Sequence, residues 1–129
     1  MEIEILINNT TDKAELIHDI NSLRFRYKDI DITIEDEIAF SALTTLRKTL
    51  DSKGIMLLIQ GSRKDVFPSG MQMDMRSSAA YIHIPGVFNQ KPRVVNIFDP
   101  ADDATMLGTV AEQHTWKRAF LDSFKAKHQ

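Results

Sequence analysis

Ile55-Met56-Leu57-Leu58-Ile59 is an unbroken apolar run of strand length, opened by Gly54 and broken at Gly61. Such a run does not alternate between wet and dry faces, so it predicts a buried central strand around which other elements must be layered. The residues after it constrain the chain further. Ser62-Arg63-Lys64-Asp65 carries polar groups away from the strand end, and Pro68-Ser69-Gly70 breaks the chain again. Met71, Met73 and Met75 then alternate with Gln72, Asp74 and Arg76, the period-2 pattern of a half-buried strand. Pro68 restricts Phe67 to extended geometry, and Gly70 is expected to take a positive φ, so the tripeptide reads as a turn. A strand feeding such a loop places polar groups at the rim of a sheet, where sites usually sit.

Upstream, Glu2 to Ile7 predicts a first strand ended by Asn8-Asn9. Leu16, Ile17, Ile20 and Leu23 recur at helical spacing behind the capping signal Thr10-Thr11-Asp12, which predicts a helix over residues 12–23. Ile30, Ile32 and Ile34 mark one buried strand face, while Phe25 and Tyr27 fall on the opposite parity. A late strand start, or a turn or bulge near Lys28-Asp29, accounts for that change. Glu35-Asp36-Glu37 then supplies negative charge to the start of a helix with the stripe Ile38, Ala39, Ala42, Leu43, Leu46 and Leu50. Arg47, Lys48 and Lys53 stand near its end, and Gly54 follows. Downstream, residues 79–84 and 93–98 predict strands joined by a hairpin connection over 85–92, with Ile82 and Ile84 on one face and Tyr81 and His83 on the other. Gly108 or Thr109 caps a last helix from Val110 to about Ala126. The element order predicts an α+β fold in one domain over residues 1–129, with a mostly antiparallel sheet of five to six strands and three helices packed on it.

The chain has no cysteine, which excludes disulfides, thiolate-ligated zinc and thiol catalysis, and fits a reducing compartment. A formal charge of −2, from 16 basic and 18 acidic residues, argues against direct nucleic-acid binding. No apolar run reaches membrane-spanning length, and the start Met1-Glu2-Ile3-Glu4 is acidic where a signal peptide is basic, so a cytoplasmic protein without membrane contact is expected. Gly61-Ser62-Arg63-Lys64 could cradle an anion, but it lacks a second glycine at phosphate-loop spacing, and a solvated hairpin tip is the simpler reading. Asp65, Ser69 and His83 (or His114) could serve as acid, nucleophile and base of a small hydrolase. Pro68-Ser69-Gly70 is not the G-x-S-x-G turn that such chemistry uses. His18, His83, His114 and His128 are scattered without the i, i+4 pairing of a helical metal site, and no metal or cofactor is expected. The methionine ladder suits either an adaptable binding surface or a face packed under a helix. Arg24-Phe25-Arg26-Tyr27-Lys28 mixes cations and aromatics as RNA binders do, yet on one strand only and beside an acidic segment.

That acidic segment gathers Asp29, Asp31, Glu35, Asp36 and Glu37 within nine residues. In an extended chain Asp29, Asp31 and Glu35 share a face, while Asp36 and Glu37 serve the helix start. The group could hold Mg²⁺, be simply solvated, or form a negative patch complementary to a basic partner such as a nuclease cleft.

Asp65-Val66-Phe67-Pro68-Ser69-Gly70-Met71 resembles an element of small bacterial proteins in which D/N-V-Y/F-P-S-G-M follows a hydrophobic strand. The likeness continues through Val95-Asn96-Ile97-Phe98-Asp99 and the helix opening Thr109-Val110-Ala111-Glu112-Gln113, covering about residues 36–124. It departs at Ser77-Ser78, where those proteins carry glycines. They are similar to the immunity proteins encoded beside polymorphic or contact-dependent growth inhibition toxins. The resemblance implies a non-enzymatic protein that binds a cognate toxin and blocks its active site, and the acidic run adds the expectation that this toxin is basic, a nuclease. It transfers no catalytic residue. Asp29, Asp31 and Glu35, with Arg63, Lys64 and Asp65 at the loop rim, are the expected partner-binding residues. A hydrolase using Asp65, Ser69 and His83, or a generic protein-interaction domain, are the alternatives.

Overall fold

Three two-residue turns build the larger sheet. In this computed structural model, which describes residues 1–84 and 92–127, β1 (Glu2–Ile7), β2 (Thr10–Asp19), β3 (Ser22–Tyr27) and β4 (Ile30–Glu35) form an antiparallel meander. Asn8 and Asn9 turn β1 into β2 with φ of +52° and +60°. Two successive positive φ values make the hairpin turn whose twist matches its strands, and asparagine tolerates that conformation. Lys28 takes φ +52° in the turn between β3 and β4. That turn resolves the parity change: Phe25 and Ile32 stand directly opposite each other, so both sets of apolar residues face the same side.

The helix expected over 12–23 does not form. Those residues lie in β2, the Ile20-Asn21 turn and the start of β3. Ala14, Leu16 and Leu23 are buried, whereas Ile17 is exposed and Ile20 is 75% exposed. Half of the apparent helical stripe is therefore not a core face. Cross-strand pairing to both Met1 and Phe25 on β3 buries Leu16 better than a local helix could, so long-range register overrides local periodicity.

α1 (Ala39–Asp51) follows, entered by an Asp36 Oδ1 that accepts from the Ile38 N–H at 2.9 Å. Its buried stripe is Ala39, Ala42, Leu43, Leu46 and Leu50, and it lies across β3, β4 and β5. Gly54, at φ +72°, turns the chain into β5 (Ile55–Leu57). The five-stranded order is β4-β3-β2-β1-β5, so the apolar run is an edge of this sheet, not its centre. Ile55, Leu57 and Ile59 are buried, Met56 and Leu58 only partly. Ile59 leaves the ladder to bridge Pro100, so the run joins the sheet to the rest of the core.

A second antiparallel sheet has the order β6 (Val66–Phe67), β7 (Ala79–Ile82), β8 (Val94–Asn96). The strand expected at the methionine ladder is instead α2 (Gly70–Asp74), which leaves Met71 and Met75 more than 70% exposed. Ser69 accepts from the Gln72 N–H while the Gln72 side chain accepts from the Ser69 N–H, a reciprocal cap that starts a helix at this point. Most of the connection expected at 85–92, residues 85–91, lies outside the described residues. α3 (Val110–Lys127) begins where expected, with Thr109 and Glu112 capping each other's N–H groups. One cluster of buried side chains runs from Ile3 through α1 to Phe98 and includes both sheets. The fold is α+β and antiparallel, divided between two sheets. No described helix is long and apolar enough to cross a membrane.

Candidate interaction surface

The meander buries one face under α1 and leaves the other in water. Along the open face, alternation displays Glu2 and Glu4 from β1, Lys13, Glu15, Ile17 and Asp19 from β2, Arg24 and Arg26 from β3, and Asp31, Thr33 and Glu35 from β4. Six carboxylates against three cations leave this face at −3, whereas the whole chain is −2. The negative charge is thus concentrated here. Register arranges it in rows: Glu15 opposes Arg26, which opposes Asp31, and Ser22 opposes Glu35. Glu2 and Glu15 stand directly opposite each other, a like-charge pair relieved by Lys13 Nζ at 3.5 Å from Glu2. At the β1–β5 end, Glu2, Glu4, Lys13 and Leu58 face Ala101 and Leu107 across a groove of about 490 Å³.

Of the acidic run, Asp31 and Glu35 lie on this face, but Asp29 sits in the hairpin turn. Arg24 donates to both Asp31 oxygens, at 2.9 and 2.6 Å, and this bond holds the Asp31 carboxyl below its usual range. Glu37 pairs with Arg76 at 2.9 Å. Glu2, Glu4 and Glu15 were not among the expected binding residues. The Glu2-Ile3-Glu4-Ile5 alternation signalled the first two, and the helix expected over 12–23 concealed the third.

The loop residues Arg63 and Asp65 are not available to a partner, which corrects their expected role. Both are 5% exposed. Arg63 Nε and Nη2 grip Asp65 at 2.9 and 2.8 Å, and its Nη1 reaches Asp102 at 2.5 Å. Asp102 in turn meets Arg93 at 2.6 Å. Lys64 is half-buried beside Gly108, where a Cβ would stand 2.6 Å from the Lys64 Cγ. The loop is neither a phosphate cradle nor a wet hairpin tip. Its N–H groups are engaged, Gly61 with Ile97 O, Ser62 with Ile59 O, Arg63 with Gln60 O and Lys64 with Met106 O.

Two buried side chains lock that loop. Arg47 donates to Gly61 O, Gly108 O and Gln113 Oε1 at 2.8–3.0 Å. Burial pushes its guanidinium down to about 10, still charged at neutral pH. Gln113 Nε2 lies within 3.2 Å of the Gly61, Arg63 and Val66 carbonyl oxygens. Thus α1 and α3 hold the segment between the sheets by its main chain.

Asp65, Ser69 and His83 are each engaged separately, and no hydrogen bond joins their side chains among the described residues. Ser69 caps α2. His83 stacks on Phe67 with ring centroids 3.7 Å apart, its Nε2 3.0 Å from Phe67 O, and Phe120 packs beside them. Burial lowers the His83 pKa. Among the described residues no group of three or more His, Asp or Glu could hold a metal ion. The chain matches no known protein-family model, and no curated protein matches it.

Proposed function

We propose that this chain is an immunity protein that neutralises a cognate toxin, a nuclease with a basic cleft, by docking the open face of its five-stranded sheet over that cleft. The observation that carries the reading is the concentration of charge: a solvated face at −3 on a chain of −2. Complementary potentials steer encounter and fix orientation more than they add affinity, which suits an inhibitor that must capture a toxin quickly. The resemblance around Asp65–Met71 supports the same reading, with those residues acting as scaffold. Arg63 and Asp65 hold the loop, and the docking residues are Glu2, Glu4, Glu15, Asp31 and Glu35 on the open face, with Asp29 in the hairpin turn beside it.

The test is co-expression with the product of the neighbouring upstream gene. Wild type is expected to restore growth, and the triple variant Asp29→Asn, Asp31→Asn, Glu35→Gln to restore it less while remaining folded. Full protection by the triple variant would move the docking surface elsewhere, and a harmless upstream product would remove the toxin from the account.

A further inference from the structure

β4 ends the larger sheet, and its outer side has no strand partner among the described residues. The direction of each main-chain group on it follows from one bond. Asp36 N–H donates to Asn21 O at 3.0 Å. Antiparallel pairs alternate between bonded and non-bonded, so Ile34, Ile32 and Ile30 bond to β3. Asp31, Thr33 and Glu35 therefore turn their N–H and C=O groups outward. Strand edges of this kind are usually blunted by proline, lysine, a bulge or brevity. The sequence Ile30-Asp31-Ile32-Thr33-Ile34-Glu35 contains no proline, glycine or lysine, and its register with β3 is unbroken over six residues. On the inner face Ile30, Ile32 and Ile34 are only partly buried against the core. A further strand would complete their cover.

We propose that the β4 edge takes an extended segment of the partner as a sixth antiparallel strand, with basic and apolar residues alternating along it. The inference rests on the docking role of the open face and says how the partner is held there. Charge selects the occupant. Antiparallel pairing of two copies of β4 centred on Thr33 sets Asp31 against Glu35 twice, and centring on Asp31 or Glu35 sets that carboxylate against itself. A basic residue opposite Asp31 instead continues the alternation Glu15, Arg26, Asp31 across the sheet. Apolar residues between the basic ones fall beside the half-buried isoleucines, and main-chain bonds to the edge supply affinity.

A capped peptide of alternating Lys and Val, added at millimolar concentration to the full chain, tests this by amide hydrogen exchange. Exchange at Asp31, Thr33 and Glu35 is expected to slow on the order of tenfold, with Ile30, Ile32 and Ile34 nearly unchanged. Methylating the lysine nitrogens of the peptide, which point at β4 in antiparallel addition, should abolish the protection, and so should replacing its lysines by glutamate. Methylating the valine nitrogens, which point away, should not. Strand addition is overturned by protection elsewhere, by none at all, or by equal binding of the lysine-methylated peptide. Protection of the same three amides without peptide, rising with protein concentration, would make a second copy the occupant. Because the protein is unaltered, failure here leaves the toxin-protection assay to decide the open-face reading separately.

Discussion

Gly61 is where α1 closes on the chain leaving β8. A Cβ there would stand 2.4 Å from Leu43 Cδ2 and 3.0 Å from Ile97 O. Gly61→Ala is therefore expected to lower stability by about 1–3 kcal/mol, read as the urea midpoint. Gly70→Ala should behave oppositely. Gly70 is not at the expected positive φ, and a Cβ there meets nothing within 4 Å, so alanine should leave stability unchanged or raise it by up to about 1 kcal/mol. Gln113→Glu separates hydrogen bonding from shape. The isosteric carboxylate would set an oxygen against three carbonyls that now receive N–H bonds, and a loss of about 2–3 kcal/mol is expected despite the new charge beside Arg47. An unchanged midpoint would mean that packing alone holds the loop. Arg47 was legible as a cation near the end of α1 but not as a buried lock. Its position, four residues beyond Leu43 on the apolar stripe, was the available signal.

Elements whose neighbours lie close in sequence were legible, and those settled by distant pairing were not. α1 and α3 carry a continuous stripe or a reciprocal cap, and both form where expected. The segment from β2 into β3 carries four apolar residues at helical spacing, Leu16, Ile17, Ile20 and Leu23, and only the strand register shows which of them face the core. The methionine ladder failed for the opposite reason. A local cap, Ser69 with Gln72, outweighed a period-2 pattern whose end methionines have nothing to bury them. Beyond β7, His83 ties the second sheet to α3 as a neutral ring. Burial is the main cause of its lowered pKa; the Lys117 charge adds to it, while the bond to Phe67 O and the Asp65 charge oppose it. Its folded pKa lies below the unfolded 6.5, so as pH falls the unfolded chain takes up the proton first. The stabilisation is complete above that value and is lost as pH drops through the window beneath it. Unfolding free energy should fall between about pH 7 and pH 5, and His83→Gln should flatten that slope. Equal slopes in the two proteins would place the titration on another group.

For the molecule as a whole, the antiparallel α+β character followed from element order, but the division into two sheets and the composition of the open face did not. Of the acidic run, Asp31 and Glu35 lie on β4. Glu2, Glu4 and Glu15 joined that face only through pairing across the sheet. Arg63 and Asp65, charged residues in a predicted loop, proved to be a buried pair, because the main chain of residues 60–66 is bonded to Ile97, Met106 and Gln113 instead of to water. The face proposed for a partner is acidic, and its β4 edge has no strand partner among the described residues. The rate at which the proposed toxin partner associates with it, followed by stopped flow at low and high salt, tests that claim most directly. Association should be fast at low salt, slow as salt rises, and fall on the order of tenfold at low salt, with a shallower salt slope, in the Asp29→Asn, Asp31→Asn, Glu35→Gln variant. Identical rates and salt slopes for variant and wild type would contradict it.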